Sequence, residues 1–92
     1  MNSTPDNSNE RIWFAEFDVM QSAAASLRAA YTRRTVAASS EAEKQWWQDR
    51  AVRVHYFTIR AVETDREDLL TRTLLLRDEL HRIGGLTDGG RV

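Results

Sequence analysis

The two histidines are the side chains of this sequence best suited to acid–base or metal chemistry, and neither has the neighbours that such chemistry needs. Asp78 precedes His81 by three residues, a spacing that faintly resembles the Glu-x-x-His pairs of di-iron helical bundles. Such a site needs a second pair on another helix, whereas His55 has Val52 at the equivalent spacing. We therefore expect His81 to complement a helix dipole in a last turn and His55 to be a packed or half-exposed residue.

Other signatures of catalysis and cofactor binding are missing from the sequence. The chain has no cysteine, which excludes disulfides, cysteine nucleophiles and zinc–thiolate sites. No serine lies in a G-x-S-x-G elbow, and no glycine-rich loop precedes a helix, so the hydrolase and nucleotide-binding motifs do not occur. We expect a protein that is not an enzyme and that uses no catalytic residue, metal or cofactor.

The basic residues are the clearest charge pattern of the chain. Its 13 basic residues balance 14 acidic ones, and the net charge of −1 argues against a polycation that coats nucleic acid or a membrane. The segment from Leu27 to Arg60 nevertheless holds seven basic and three acidic side chains. Within it, Arg50, Arg53 and Arg60 share one side of a predicted helix, close to two aromatic residues. We call these three residues the basic face. The favoured interpretation is that the face is simply solvated; the second is that it binds an acidic protein surface, and the third is that it contacts nucleic acid.

A second group of residues is apolar and lies off the main helical stripes. These residues predict an apolar surface, here called the seam, that binds a second copy of the chain or another protein. The alternative is that they form ordinary core between a second and a third helix. The members of the seam are Val52, Tyr56, Ile59, Leu70 and Leu74.

The elements that carry these residues are predicted to be helical. Glycine and proline occur only near the two ends of the chain, so nothing between residues 6 and 83 breaks a helix strongly. A first helix is indicated by apolar residues at alternating spacings of four and three. Residues 35–39 are the best candidate loop, and Ser40 with Glu43 forms a capping box that begins the next helix. The first stripe consists of Trp13, Phe17, Met20, Ala24, Leu27 and Tyr31, widened by Ile12, Val19, Ala23 and Ala30.

The sequence after Ser40 is compatible with two architectures. Residues 63–68 are six polar residues in a row, and Thr64 with Glu67 makes a second capping box that predicts a third helix. At 100° per residue, however, the apolar residues beyond this run return to the direction of those before it. That register favours one long helix from Ser40 to Ile83. The all-α fold is therefore predicted as an antiparallel hairpin with a long second helix, dimerising to a four-helix bundle, or as a three-helix bundle.

Length and end composition suggest one small domain. The 92 residues allow a single helical domain at 10–84, with a flexible N-terminal segment at 1–9 and a flexible C-terminal tail at 85–92. There is no signal peptide and no apolar run long enough to span a membrane, so we expect a cytoplasmic protein without a membrane partner. Twelve arginines against one lysine indicate a GC-rich genome, such as that of an actinobacterium or its phage.

The sequence thus favours a small non-catalytic helical interaction or accessory protein that acts through protein–protein contacts. The alternative is a small nucleic-acid-associated regulator that uses the basic face. A helix-turn-helix usually has a short turn with glycine before its recognition helix, and residues 35–39 contain none. Nucleic acid is therefore the less favoured partner.

Overall fold

The computed structural model describes residues 11–84, and this part of the chain contains three α-helices and no strand. Their bounds are Phe14–Ala37 for α1, Glu41–Ile59 for α2 and Arg66–Arg82 for α3. The fold is a three-helix bundle, one of the two all-α architectures that the sequence predicts. The segments predicted to be flexible, 1–9 and 85–92, lie outside the described residues.

Helix α1 is the shared packing partner of the other two helices. Helix α2 runs antiparallel to it, since Trp47 near the start of α2 packs on Tyr31 near the end of α1, with ring centroids 5.7 Å apart. Helix α3 runs parallel to α1, since Arg66 forms an ion pair of 2.9 Å with Glu16 at one end, and Tyr31 donates to Glu79 at the other. Helices α2 and α3 both pack along α1 but approach each other much less.

The core follows the stripe predicted for the first helix. Met20, Ala24, Leu27 and Tyr31 are all buried, and the small side chains in the second half of α1 allow close approach of its neighbours. Burying each of the large apolar side chains contributes about 1.5–3 kcal/mol to folding. The other buried apolar residues are Ala23 and Ala30 of α1, Val54 of α2, and Leu69, Leu76 and Leu80 of α3. Ile12 and Val19, predicted to widen the stripe, are exposed instead.

The helix ends show the expected capping chemistry. Ser40 is the N-cap of α2, and its hydroxyl accepts a hydrogen bond from the Glu43 backbone nitrogen at 3.1 Å, which confirms the N-cap half of the first predicted capping box. The Glu43 carboxylate accepts from the backbone nitrogen of Ser39, at 3.3 Å, and not from that of Ser40. At the end of α3, Gly84 has a φ of 76° and donates its N–H to the His81 carbonyl oxygen. This left-handed conformation favours glycine because glycine has no Cβ, so Gly84 is suited to end the helix.

The favoured long helix from Ser40 to Ile83 is wrong, because α2 ends at Ile59 and the chain turns before Arg66. The third helix is capped by Asp65, whose side chain accepts from the Asp68 backbone nitrogen at 3.1 Å. The cap predicted at Thr64 is therefore one residue early. The apolar register continues across the turn because α2 and α3 each direct their own stripe toward α1, and not because the helix is continuous.

The polar run that interrupts the helices supplies the groups that close the turn. The Asp68 carboxylate accepts a hydrogen bond of 2.9 Å from the Val62 backbone nitrogen. Arg72 bonds to Asp68 and also donates to the Phe57 carbonyl oxygen at 3.0 Å, which satisfies an acceptor at the end of α2. The Glu63 carbonyl oxygen accepts from the backbone nitrogen of Trp13, which ties the turn to the start of α1.

Candidate protein-binding groove

An open groove separates α2 from α3, with α1 as its floor. Leu27 and Tyr31 of α1 form the floor. The α2 wall is formed by Arg50, Arg53, Val54 and Phe57, and the α3 wall by Leu75, Leu76 and Glu79. The space between these side chains is about 220 Å³, and most of the residues around it are apolar. We call this feature the α2–α3 groove. It exists because the two outer helices pack on α1 more closely than on each other.

One end of the groove is closed by a polar cluster centred on Glu79. Tyr31 donates a hydrogen bond of 2.8 Å to Glu79 Oε2, and Arg82 bonds to both oxygens of the same carboxylate, at 2.8 and 2.6 Å. Arg50 lies 3.6 Å from Glu79 Oε2. The hydrogen bond from Arg82 is the main reason that the pKa of Glu79 is lowered, and burial is the main reason that the pKa of Tyr31 is raised. Glu79 is therefore ionised and fully engaged at neutral pH.

Of the predicted basic face, Arg50 is the member that takes part in internal packing. Its guanidinium lies 4.4 Å from the ring centroid of Trp46, in addition to its ion pair with Glu79. Its Nε is buried and has no hydrogen-bond partner in the described part of the chain. Arg50 thus links α2 to α3 across the end of the groove, and it is not a solvated residue.

Arg53 and Arg60, the other two members of the basic face, are exposed. They lie around Phe57 and Tyr56 together with Arg72 of α3. Arg72 is committed to Asp68 and to the Phe57 carbonyl oxygen, and its guanidinium covers the Phe57 ring at 4.7 Å. Within residues 11–84 neither Arg53 nor Arg60 forms an ion pair or a side-chain hydrogen bond. Arg53 also lines the α2–α3 groove, whereas Arg60 lines the adjoining depression, which shares Arg53 and Phe57 with the groove.

The predicted apolar seam is divided between two surfaces. Val52, Tyr56 and Ile59 are more than half exposed and lie on the outer side of α2, where Ile59 also borders a depression between α1 and α2. Leu70 and Leu74 are also exposed, but they belong to α3. Leu74 lies on its outer side, whereas Leu70 borders a depression against α1, beside Ala15 and Val19. The turn at residues 60–65 separates the two groups. The structure therefore does not join the five residues into one surface.

Sequence reasoning missed Leu75 and Glu79, which contribute much of the α3 wall. The run Leu74-Leu75-Leu76 contained a signal, because three consecutive leucines on a helix cannot all face one core. Leu76 is buried, Leu74 is on the outer side, and Leu75 is half exposed beside the groove. Glu79 had no such signal, since its partners Tyr31, Arg50 and Arg82 come from three different helices.

The histidines lie away from the groove. His55 is exposed next to Tyr56, with ring centroids 5.5 Å apart, and borders a depression between α1 and α2. His81 is exposed in the last turn of α3, beside Asp78 and facing the other side of α1. Across residues 11–84 no three histidine, aspartate or glutamate side chains are grouped closely enough to hold a metal ion.

Comparison with known proteins adds no relative: no family model, no curated protein and no solved structure matches the chain. None of the three helices between residues 11 and 84 has the length and apolar character needed to cross a membrane. The function of the chain is therefore inferred from the geometry of its own residues.

Proposed function

We propose that the protein is a small non-catalytic helical interaction protein that binds another protein through the α2–α3 groove. The observation that carries this proposal is the open groove itself, in which Phe57, Leu75 and Leu76 line a space between two helices. In a closed three-helix bundle the facing walls would cover each other. Apolar side chains of a partner can supply that missing contact.

The character of the groove supports binding of a ligand. Binding sites are typically concave and mostly apolar, with a few polar groups that fix orientation. Here the apolar walls meet Tyr31, Arg50 and Glu79 at one end, and Arg53 lies on the rim. Leu75 is 52% exposed, so a large apolar side chain borders the groove without being covered by the described residues. A partner that covers it gains free energy from the apolar area removed from water.

The positions of the titratable groups support a non-catalytic role. His55 and His81 are outside the groove. The groove's own acid–base candidates, Tyr31 and Glu79, bind each other, and Arg82 holds the Glu79 carboxylate in its ionised form. Their hydrogen-bonding capacity is used in holding α1 to α3, which suits a structural contact better than proton transfer to a substrate.

A peptide-display selection tests the proposal and needs no candidate partner. Random peptides would be selected on the immobilised full-length protein, and the enriched sequences would then be titrated against two variants. Leu75→Gln places a polar group in the groove, and Leu74→Gln is the matched control one residue earlier, on the outer side of α3. We expect enriched peptides to bind Leu75→Gln at least about tenfold more weakly, a change of roughly 1.4 kcal/mol, and to bind Leu74→Gln normally.

Two outcomes would contradict the proposal. The first is a selection that enriches no binder above the background of the empty support. The second is a set of binders that are indifferent to Leu75→Gln, because these would bind elsewhere on the molecule. Circular dichroism of both variants checks that the helices remain; both positions are more than half exposed, so neither substitution removes core packing.

A nucleic-acid-associated regulator is the alternative, and the exposed pair Arg53 and Arg60 beside aromatic residues is the observation that favours it. The Phe57 ring is already covered by Arg72, which leaves less aromatic surface for a base to stack on. A labelled duplex titrated at low and moderate salt tests this function. Salt-sensitive binding that is lost when the exposed Arg53 and Arg60 are replaced would establish this function, and its absence would exclude it.

A further inference from the structure

The dimensions of the α2–α3 groove limit what can enter it. An engineered protein cavity of about 150 Å³ holds one benzene molecule, so a groove of about 220 Å³ holds one aromatic or two aliphatic side chains, and not a whole helix. The occupant must therefore lie over the groove and insert anchor side chains. A helix whose apolar residues are three or four positions apart presents anchors in this way.

The charged side chains around the groove indicate which charge a bound partner should carry. Arg50, Arg53 and Glu79 line the groove, Arg60 and Arg72 line the adjoining depression, and Arg82 and Asp68 form ion pairs with Glu79 and Arg72, respectively. Glu79 already binds Tyr31, Arg50 and Arg82, and Asp68 already binds Arg72 and the backbone of Val62. The internal carboxylates are thus occupied, and the positive charge that remains belongs to Arg53 and Arg60.

We propose that the α2–α3 groove binds an acidic amphipathic helix, which inserts one or two apolar anchors between Phe57 and Leu75 and places carboxylates against Arg53 and Arg60. This inference rests on the proposed function and specifies its partner. The two arginines are seven positions apart, in α2 and at its C-cap, so their backbones are about two turns, or roughly 10.5 Å, apart. Acidic residues separated by two turns on the partner helix match that spacing.

The same features disfavour nucleic acid at this site. Phosphates would pair with Arg53 and Arg60, but the sugar–phosphate backbone has no apolar anchor for the space between Phe57 and Leu75. The Arg72 guanidinium covers one face of the Phe57 ring, 4.7 Å from its centroid, which leaves less aromatic surface for a base to stack on. An acidic helix uses both the apolar and the charged part of the groove, whereas a nucleic acid uses the charged part alone.

Three stapled helical peptides of about 16 residues provide the probe, with stapling used because short helices are marginal in water. All three carry the same two leucine anchors three positions apart. Two flanking positions that are seven residues apart are glutamate in the first peptide, glutamine in the second and lysine in the third. Fluorescence anisotropy would measure their binding to the full-length protein at about 50 mM and about 200 mM salt, since screening increases over that range.

We expect the glutamate peptide to bind most tightly and the lysine peptide least tightly. The double variant Arg53→Gln/Arg60→Gln should weaken binding of the glutamate peptide by about tenfold. Each exposed charge pair contributes at most about 1 kcal/mol, and the variant removes two such pairs. It should leave the glutamine peptide unchanged. The control is Arg33→Gln/Arg77→Gln, which removes two exposed arginines outside the groove and should change nothing.

The outcomes separate the two proposals. If the glutamine peptide binds as tightly as the glutamate peptide and Leu75→Gln weakens both, the groove is a binding site but its preference for acidic partners is wrong. If none of the three peptides responds to Leu75→Gln, both proposals are wrong for this groove. If single-stranded DNA displaces the glutamate peptide and itself needs Arg53 and Arg60, the site is a nucleic-acid site and the acidic-helix proposal is overturned.

Discussion

Asp68 Oδ2 lies 2.9 Å from the backbone nitrogen of Val62, so a side chain in the first turn of α3 holds the loop that separates it from α2. The same oxygen accepts a hydrogen bond of 2.9 Å from Arg72, which in turn reaches the Phe57 carbonyl oxygen. The chain therefore turns at residues 60–65 without a glycine or a proline, through side-chain hydrogen bonds to backbone groups at the helix ends.

Replacing Asp68 by alanine should destabilise the bundle by about 1–2 kcal/mol, because it leaves the Val62 N–H and the Arg72 guanidinium without their acceptor. Urea unfolding followed by circular dichroism measures this. The control is Glu67→Ala, which removes a neighbouring negative charge from the same first turn and should cost at most about 0.5 kcal/mol. Equal losses in the two variants would mean that general first-turn charge, and not the contact to Val62, stabilises the turn.

Acidification should destabilise the protein through Asp68 and Glu79. The hydrogen bond from Arg72 lowers the pKa of Asp68 below its usual 3.8, and the hydrogen bond from Arg82 lowers the pKa of Glu79 below its usual 4.5. A carboxyl whose folded pKa is lowered stabilises the fold at any pH above its unfolded pKa, and this contribution is lost as the pH falls through the folded pKa. The urea midpoint should therefore be steady from pH 7 to about 5 and fall steeply below about 4.

The variant Asp68→Asn/Glu79→Gln tests the assignment of this pH dependence. It should be less stable than the parent protein at neutral pH, by roughly 1–3 kcal/mol, and its urea midpoint should fall less steeply at acidic pH, which we call the acid limb of the profile. The control Glu67→Gln/Asp78→Asn replaces two exposed carboxylates of the same helix and should retain the parent's pH profile. An unchanged acid limb in the first variant would assign the effect to other carboxyls.

The hydrogen bond from Tyr31 to Glu79 should contribute about 1 kcal/mol to stability, since it joins α1 to α3 in a partly buried position. Tyr31→Phe removes the hydroxyl and keeps the ring that packs on Trp47. Tyr56→Phe removes the hydroxyl of an exposed tyrosine and serves as the control, with no expected loss. Chemical denaturation of the two variants gives the comparison directly. Equal stabilities would show that the hydroxyl of Tyr31 contributes nothing net.

Two leucines of α3, five residues apart, should respond differently to truncation. Leu69→Ala removes a side chain with no exposure and should cost about 2–5 kcal/mol, from lost burial and the cavity left behind. Leu74→Ala truncates a side chain that is 62% exposed and should change stability by less than about 0.5 kcal/mol. Denaturation midpoints measured at several protein concentrations check both values. A large, concentration-dependent loss in Leu74→Ala would instead place the outer side of α3 in an interface between copies.

The outer side of α2 offers an apolar surface for the homodimer that the sequence predicts. Val52, Tyr56 and Ile59 form it, and Tyr56→Glu places a charge at its centre. Light scattering after size-exclusion chromatography should then show a dimeric mass for the parent protein and half that mass for the variant, with helical content unchanged. Val36→Glu, at an exposed apolar position near the end of α1, is the control and should remain dimeric. An identical mass for parent and Tyr56→Glu would exclude this surface as the dimer contact.

The sequence predicts which residues form the core better than how the chain connects them. Leu69, Leu76 and Leu80 are buried whether the helix is continuous or broken, because the 100° rotation per residue fixes their common face in either case. Periodicity favours the continuous helix because the turn depends on contacts over longer range. The Trp13 nitrogen bonds to the Glu63 carbonyl oxygen, a contact 50 positions apart in the chain that periodicity does not reveal.

The sequence predicts the separate parts of the groove that depend on a single helix, such as its floor at Leu27 and Tyr31, but not the way in which its two walls come together. Arg53 and Arg60 are identified by composition and helical phase, both of which are local properties. Leu75 and Glu79 contribute to the groove only because α3 folds back along α1, and a continuous second helix would place them far from Phe57. For the same reason, the five-residue apolar seam follows one helix axis in the sequence and is divided by the turn in the structure.

Helices α2 and α3 both pack on α1 and make little contact with each other, so apolar side chains that line the groove are left uncovered in the folded state. A bound partner would cover them. Occupancy of the groove and the folding equilibrium are then thermodynamically linked. A partner present at a hundred times its dissociation constant adds about 2.7 kcal/mol to the free energy of unfolding. For a domain of this size each 1 kcal/mol raises the melting temperature by roughly 4–8 °C. A thermal-shift screen of candidate helices would therefore detect a binding partner by the rise in melting temperature that it causes.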